Sequence, residues 1–443
     1  MIPVLFLAYY FPPAGGAGVQ RSQKFVRYLP NEGFQPVVVT GPGPSGDRWS
    51  PADLVMAGEV SSEVQVLRAK GPIPQNSSRW NGRMNRWFGT TDVFSSWWIE
   101  NAIEAALPVV ERTMLIFATM SPFSTAVIAA RLSAKFNIPW VADLRDPWAL
   151  DEMQVYPSRF HRASEIRRMG RDLASASAII MNTPEATQVL LQQFPEFAKK
   201  IVTTITNGYD AQDFEGAIGK RSDGKFRIVH TGYLHTQGGL ELKRKQRLRQ
   251  LLGGIEGGVD ILTRSHVVLL RAIEQWLKKR PEVENDLEIV FAGVTSEPDK
   301  AAVMKSGVAN SIQFPGYLSH RESVELVRTA DVLFLPMHNL DAGRRSRIVP
   351  GKTYEYIAAG QPILAAVPEG DARDFLKAAG TARITNPDDV QAMIDELDRL
   401  YLDWKSGKQN VPGNPEFMQR FSRENLSKEL ATVFAKVIRG TNS

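Results

Sequence analysis

The chain has 443 residues, 43% hydrophobic and 23% charged, with 53 basic against 48 acidic side chains and no cysteine. That length exceeds one ordinary core and points to two domains of about 200 residues each. The missing cysteine excludes disulfides and thiolate metal sites and fits a reducing cytoplasm.

The predicted elements begin with an apolar run at 4–11. No Lys or Arg precedes it, and Pro12-Pro13 and a glycine cluster follow, so it reads as a buried first strand rather than a signal-peptide core. Further short runs at 36–40, 64–67, 115–119, 140–142, 178–181 and 201–205 are bounded by turn residues and apolar on both faces, as buried parallel strands are. Helices are expected at 20–28, 124–135 and 184–193, the last with Thr183 as N-cap and Pro184 as its first residue. The pattern then restarts, with strands at 226–230, 287–291, 312–314, 332–335, 363–366 and 382–384. Ser319 and Glu322 form a capping-box pattern. Asn386-Pro387 opens a helix reaching about Tyr401, and a last helix is expected at 415–438. Two successive βαβ series imply two doubly wound parallel sheets, with a seam near 207–223. The glycine-punctuated, basic segment 237–260 reads as a mobile insertion. No apolar stretch approaches the roughly 18 residues of a membrane span.

The net charge of +5 is unevenly spread, with basic clusters at 243–249 and 159–171. Such patches suit phosphates or an anionic surface, although solvated helix faces also produce them. The match Gly41-Pro42-Gly43-Pro44-Ser45-Gly46 to a dinucleotide loop is a lure. Its prolines remove N–H donors, and no helical pattern follows.

Three segments carry chemistry. Gly15, Gly16 and Gly18 stand between the first strand and a helix, where backbone can approach a ligand and the helix N-terminus suits phosphate. Asp143, Arg145 and Asp146 crowd the carboxyl end of a strand, where such charges must be paired or solvated. A structural salt bridge remains the plain alternative there. The strongest segment is 350–362. Pro350-Gly351 permits an abrupt helix start, and Lys352 and Glu355 share a face. A lysine at a helix N-terminus can hold a diphosphate, and a carboxylate one turn on can accept both ribose hydroxyls. Arg344, Arg345 and Arg347 add positive charge upstream.

On these segments the chain resembles glycosyltransferase family 4 and its bacterial relatives in surface-polysaccharide synthesis, over almost its whole length. Gly15-Gly16-Ala17-Gly18-Val19-Gln20-Arg21 is similar to the family's N-terminal glycine loop. Residues 143–148 resemble a subgroup signature, Thr206-Asn207-Gly208-Tyr209-Asp210 the interdomain hinge, and 352–362 the donor-ribose helix.

The resemblance implies a GT-B fold of two Rossmann-like domains facing a cleft. An acceptor-side domain is expected at 1–210, a nucleotide-sugar-binding domain at 211–410, and a C-terminal helix at 411–443 packing back toward the first domain. It implies catalytic roles for Asp143, Arg145 and Asp146. Donor contacts are implied from Gly15, Gly16, Gly232, Tyr317, Leu318, Arg344, Arg345, Arg347, Lys352 and Glu355. Transfer is expected with retention of configuration to a glycan, lipid-linked or small-molecule acceptor.

The chain also departs from the family. Of the usual glutamates eight positions apart, the first falls on Arg347. Gly232-Tyr233-Leu234-His235 replaces the phosphate-binding Arg and Lys after the first strand of the second domain, and Arg145 stands for a customary histidine. These departures leave open an inactive sugar-nucleotide-binding relative acting as a partner subunit, or an epimerase of the same fold. No two aspartates stand two apart, so no metal or other cofactor is expected. Nucleic acid is not an expected partner, because the basic clusters lack interleaved aromatics. A cytoplasmic protein peripheral to the membrane's inner face is expected instead. Arg79, Trp80, Arg83, Arg86, Trp87 and Phe88, followed by Trp97 and Trp98, combine cations and rings suited to anionic headgroups. Core-filling tryptophans are the plain alternative.

Overall fold

The computed structural model describes residues 1–44, 53–71, 73–74, 92–217, 219, 221–408 and 413–440. Its strands are β1 (Ile2–Ala8), β2 (Phe34–Thr40), β3 (Val66–Arg68), β4 (Leu115–Met120), β5 (Trp140–Leu144), β6 (Ala178–Met181) and β7 (Ile201–Thr204), then β8 (Phe226–Thr231), β9 (Val259–Asp260), β10 (Leu287–Ala292), β11 (Ile312–Gly316), β12 (Val332–Pro336), β13 (Asn339–Leu340), β14 (Ile363–Ala366) and β15 (Ala382–Thr385). They form a parallel seven-stranded sheet, β3-β2-β1-β4-β5-β6-β7, and a parallel six-stranded sheet, β11-β10-β8-β12-β14-β15. A two-stranded antiparallel ribbon joins β13 to β9. Each expected strand is present, because an apolar run covered by helices on both faces has one stable state, a buried parallel strand.

The chain divides into two compact units, Met1–Gly208 with Leu251–Ile255 and Ser422–Ser443, and Tyr209–Gln250 with Glu256–Phe421. In the first unit the strand order reverses between β1 and β4, and in the second between β8 and β12. Ligands bind at such switch points, outside the carboxyl ends of the strands. The first unit's core includes Phe6, Phe117 and Phe434. The Phe117 and Phe434 rings meet edge-on at 5.4 Å, which fastens the helix Arg423–Gly440 to that unit's sheet.

Three expectations change. Segment 237–260 contains the helix Thr236–Leu251, since its Leu, Gln, Lys and Arg are strong helix formers. Its glycines serve close packing: a Cβ on Gly239 would stand 2.6 Å from Leu262 Cα, and one on Gly254 2.2 Å from the Tyr156 carbonyl oxygen. The last helix is two, Pro415–Gln419 and Arg423–Gly440. Trp98 is a core residue with no exposure, its indole N–H donating to Thr125 Oγ1 at 3.1 Å. Residues 79–88, expected to meet lipid headgroups, lie outside the described residues, as do Ser45 and Gly46 of the glycine-rich lure.

Candidate functional site

In the first unit, the β1 loop leads through Gly15 and Gly16 into the helix Ala17–Tyr28. Gly16, at φ +91°, is its N-cap and supplies no side-chain cap. This loop and the end of β5 are bound together by two arginines. Arg21, 1% exposed, grips Asp143 with Nε at 3.1 Å and Nη2 at 2.7 Å. It also donates to the carbonyls of Ile205 and Thr206. Both Asp143 oxygens are thus engaged, and the residue has no exposure.

Arg145 donates to three backbone carbonyls, those of Met120 at 2.9 Å, Ser121 at 3.2 Å and Gly18. Burial lowers its pKa, with Asp146 and then Asp143 opposing that shift. Asp146 differs from its neighbours. It is exposed amid a buried run, and it has no hydrogen-bond partner among the described residues. Two residues on, Trp148 holds φ +52°, a strained setting for a bulky side chain. It is kept there by stacking on Phe123 at 4.5 Å and by donating to Glu165 at 2.8 Å. The three residues expected to act together therefore occupy three settings: a buried ion pair, a backbone clamp and an exposed carboxylate.

In the second unit, the helix Gly351–Ala359 starts without a side-chain cap or an acid in its first turn. Asp371–Ala379 and Val267–Lys279 also lack a side-chain cap, whereas three other helices of this unit are closed. Glu297–Met304 and His320–Arg328 carry capping boxes, and Asp389 caps Val390–Lys405. No side chain caps the N–H groups of the first turn of Gly351–Ala359, although the Thr353 N–H donates to the Pro350 carbonyl at 3.0 Å. One turn in, Lys352 Nζ lies 2.8 Å from Glu355 Oε2, with Glu355 only 7% exposed. A carboxylate has about four acceptor sites, so the Lys352 pairing does not by itself exhaust Glu355.

His320 bonds Asp213 at 2.7 Å. Burial opposes its charged form, but Asp213, with Glu355 adding, raises its pKa overall. Tyr317, 45% exposed, and Leu318 follow β11 and precede this histidine. Gly232, at φ +131°, ends β8. A Cβ there would stand 3.8 Å from Nε2 of His230. His230 is buried, its Nδ1–H donates to the Phe334 carbonyl at 3.0 Å, and its Nε2 has no hydrogen-bond partner among the described residues. Burial pushes its pKa down to about 4, and the nearby Lys352 charge adds to that.

The upstream arginines are all matched by carboxylates. Arg344 and Arg347 converge on Glu256, Arg347 at 2.9 Å, and Arg345 pairs with Asp374 at 2.7 Å. The positive charge expected beside Lys352 is to that extent neutralised. Sequence reasoning assigned no role to Arg21, His230, His320 or Arg264. Arg264 stands just before the uncapped helix Val267–Lys279, its carbonyl accepts from the His235 N–H at 3.1 Å, and its charge bears on His230. The signal was an arginine three residues ahead of a strongly amphipathic helix, with the helix Thr236–Leu251 standing between it and β8. No group of three or more potential metal-ligating side chains occurs among the described residues.

Residues 257–403 match the model of the glycosyl transferases group 1. No curated protein sequence matches the chain. Among solved structures, the chain is similar to Anabaena Alr3699/HepE in complex with UDP-glucose, at 15% identity and TM-score 0.62, covering 98% of this chain and 100% of that one. It is similar to sucrose-phosphate synthase from Thermosynechococcus elongatus, at 13% identity and TM-score 0.66, covering 99% and 100%. A third is a candidate UDP-N-acetylglucosamine 2-epimerase from Listeria monocytogenes, at 12% identity and TM-score 0.55, covering 97% and 94%. The chain has the GT-B fold, and the match over its second unit together with that fold supports a glycosyltransferase activity.

Proposed function

We propose that the protein transfers a sugar from a nucleotide-sugar donor to an acceptor hydroxyl with retention of configuration, in the assembly of a bacterial surface glycan. The observation that carries this reading is the uncapped start of the helix Gly351–Ala359, with Lys352 and the buried Glu355 one turn apart. Glu355 accepts the ribose hydroxyls. Lys352, Arg264 and the helix N–H groups meet the diphosphate, whose charge grows as the sugar leaves, and such preorganised donors stabilise that charge. Gly232 lets backbone approach the donor, and Tyr317 and Leu318 border its base.

Asp146, the exposed carboxylate at the end of β5, orients the acceptor hydroxyl. Asp143 and Arg145 hold its loop in place, while Arg344, Arg345 and Arg347 order the segment ahead of the donor helix. No metal is required in this reading, because cationic side chains and helix ends match the diphosphate.

The test is a thermal-shift panel of nucleotide sugars beginning with UDP-sugars, since a specific ligand raises the melting temperature. Titration of Glu355→Ala and Lys352→Ala follows. Glu355→Ala is expected to weaken donor binding by about 1.5–3 kcal/mol, the value of a charge-assisted hydrogen bond, and Lys352→Ala to lower turnover as well. Activity persists in EDTA. Unchanged binding and rate in both variants would refute the assignment. Release of nucleoside diphosphate only with added acceptor separates transfer from epimerisation, the second activity found on this fold, and from an inactive binding protein.

A further inference from the structure

The helix Arg159–Leu173 carries five of the chain's arginines and places its acids selectively. Glu165 accepts from the Trp148 indole and lies 3.8 Å from Arg168, and Asp172, its side chain 7% exposed, pairs with Arg168 at 3.3 Å and with Arg171 at 3.1 Å. Phe160, Ala163, Ser164, Arg167 and Arg171 are exposed. Their spacings of three and four residues put them on one stripe of the helix, and that stripe has no acid. Phe160 is 70% exposed, and Arg159 lies over its ring at 5.1 Å.

A second apolar pair joins this end of the helix. Leu251 and Leu252 are 84% and 42% exposed. The Arg159 N–H donates to the Leu252 carbonyl at 2.8 Å, and the Tyr156 N–H to the Gly254 carbonyl at 2.7 Å. Gly253 and Gly254 lie so close to residues 156–159 that no side chain would fit, which fixes the backbone of 252–254 against the start of this helix. Val155 is itself 42% exposed.

An exposed cluster of large apolar side chains, rimmed by cations, marks an interaction surface in a soluble fold. The helix polarity also fits one class of partner. Its first residue is Arg159, and its first turn has no acid, a disposition that opposes the helix dipole unless an outside anion completes it. We propose that Val155, Phe160, Leu251 and Leu252 enter the interfacial layer of an anionic bilayer, with Arg159 and Arg167 on lipid phosphates. Phenylalanine and leucine supply the buried apolar area, and arginines extend their stems along it with their charged heads at the phosphates. This deepens the proposed function by giving a lipid-linked acceptor a surface from which to be reached.

The test is flotation of the full-length protein with vesicles of phosphatidylcholine alone and with added phosphatidylglycerol, at low and high salt and without sugar nucleotide. Binding only to the anionic vesicles, weakened by salt, is expected. Phe160→Ser with Leu251→Ser is expected to lower that binding about tenfold or more, and Arg159→Gln or Arg167→Gln about fivefold each at low salt. These side chains are exposed, so the melting temperature should be unchanged, and a melting curve of each variant checks this. No binding to anionic vesicles, equal binding to neutral ones, or full binding by the Phe160/Leu251 variant would overturn the assignment. Because no donor is present, failure here leaves the transferase reading standing, and failure of donor binding leaves this one standing.

Discussion

Residues 143–146 show how burial alone separates residues of like charge. Asp143 and Asp146 are three positions apart, yet one is sealed in an ion pair with Arg21 and the other is exposed. Breaking a buried pair leaves an uncompensated charge, which costs about 3–5 kcal/mol. Asp143→Asn should therefore lower stability by that order, as read by chemical denaturation. Asp146→Asn should leave the denaturation midpoint in place and reduce kcat about 10- to 100-fold through one charge-assisted hydrogen bond. Equal loss of stability in both variants would make the whole cluster structural. The sequence showed three crowded charges at a strand end. It could not show which of them Arg21 would reach, because that partner comes from another element 122 positions away.

At the scale of elements, the segment between β13 and the helix Gly351–Ala359 is fastened rather than open. Arg344 and Arg347 share Glu256, whose side chain is 11% exposed. A carboxylate bound by two guanidinium groups has little left for a ligand, and neither arginine is free to follow a diphosphate. Arg347→Gln should lower the melting temperature by an amount corresponding to about 1–2 kcal/mol, since the pair is only partly buried. Donor affinity should stay within about twofold of wild type, below 0.5 kcal/mol. A donor affinity lost tenfold with unchanged stability would return Arg347 to the diphosphate. The helix Gly351–Ala359 itself was legible, because Pro-Gly at its start and Gly360 in the left-handed region at its end, φ +69°, are local signals. The arginine pairing was not, since Glu256 lies in a segment that reads as a loose insertion.

For the whole molecule, three histidines contribute to the response to acid. His230 has a folded pKa of about 4 against 6.5 for the free side chain, and burial lowers the pKa of His266 as well. Both are depressed, so the unfolded chain binds more protons, and stability falls as pH drops from about 6.5 toward 4. For His230 the difference of about 2.5 units amounts to roughly 3 kcal/mol. His320 acts in the opposite sense. Its pKa is raised by Asp213, so its contribution is present below 6.5 and lost as pH rises through its folded value. Calorimetry from pH 7 to pH 4 should show a net loss of stability, and His230→Gln should flatten that limb. An unchanged slope would place the His230 ring in contact with solvent. The sequence by itself determined the two sheets, their strands and the helix Gly351–Ala359, because hydrophobic periodicity, capping residues and turn glycines act within a few neighbours. The tertiary structure decided which charges are buried, which are clasped and which face outward. Those outcomes depend on partners such as Arg21 with Asp143 and Glu256 with Arg347, brought together only when distant segments pack.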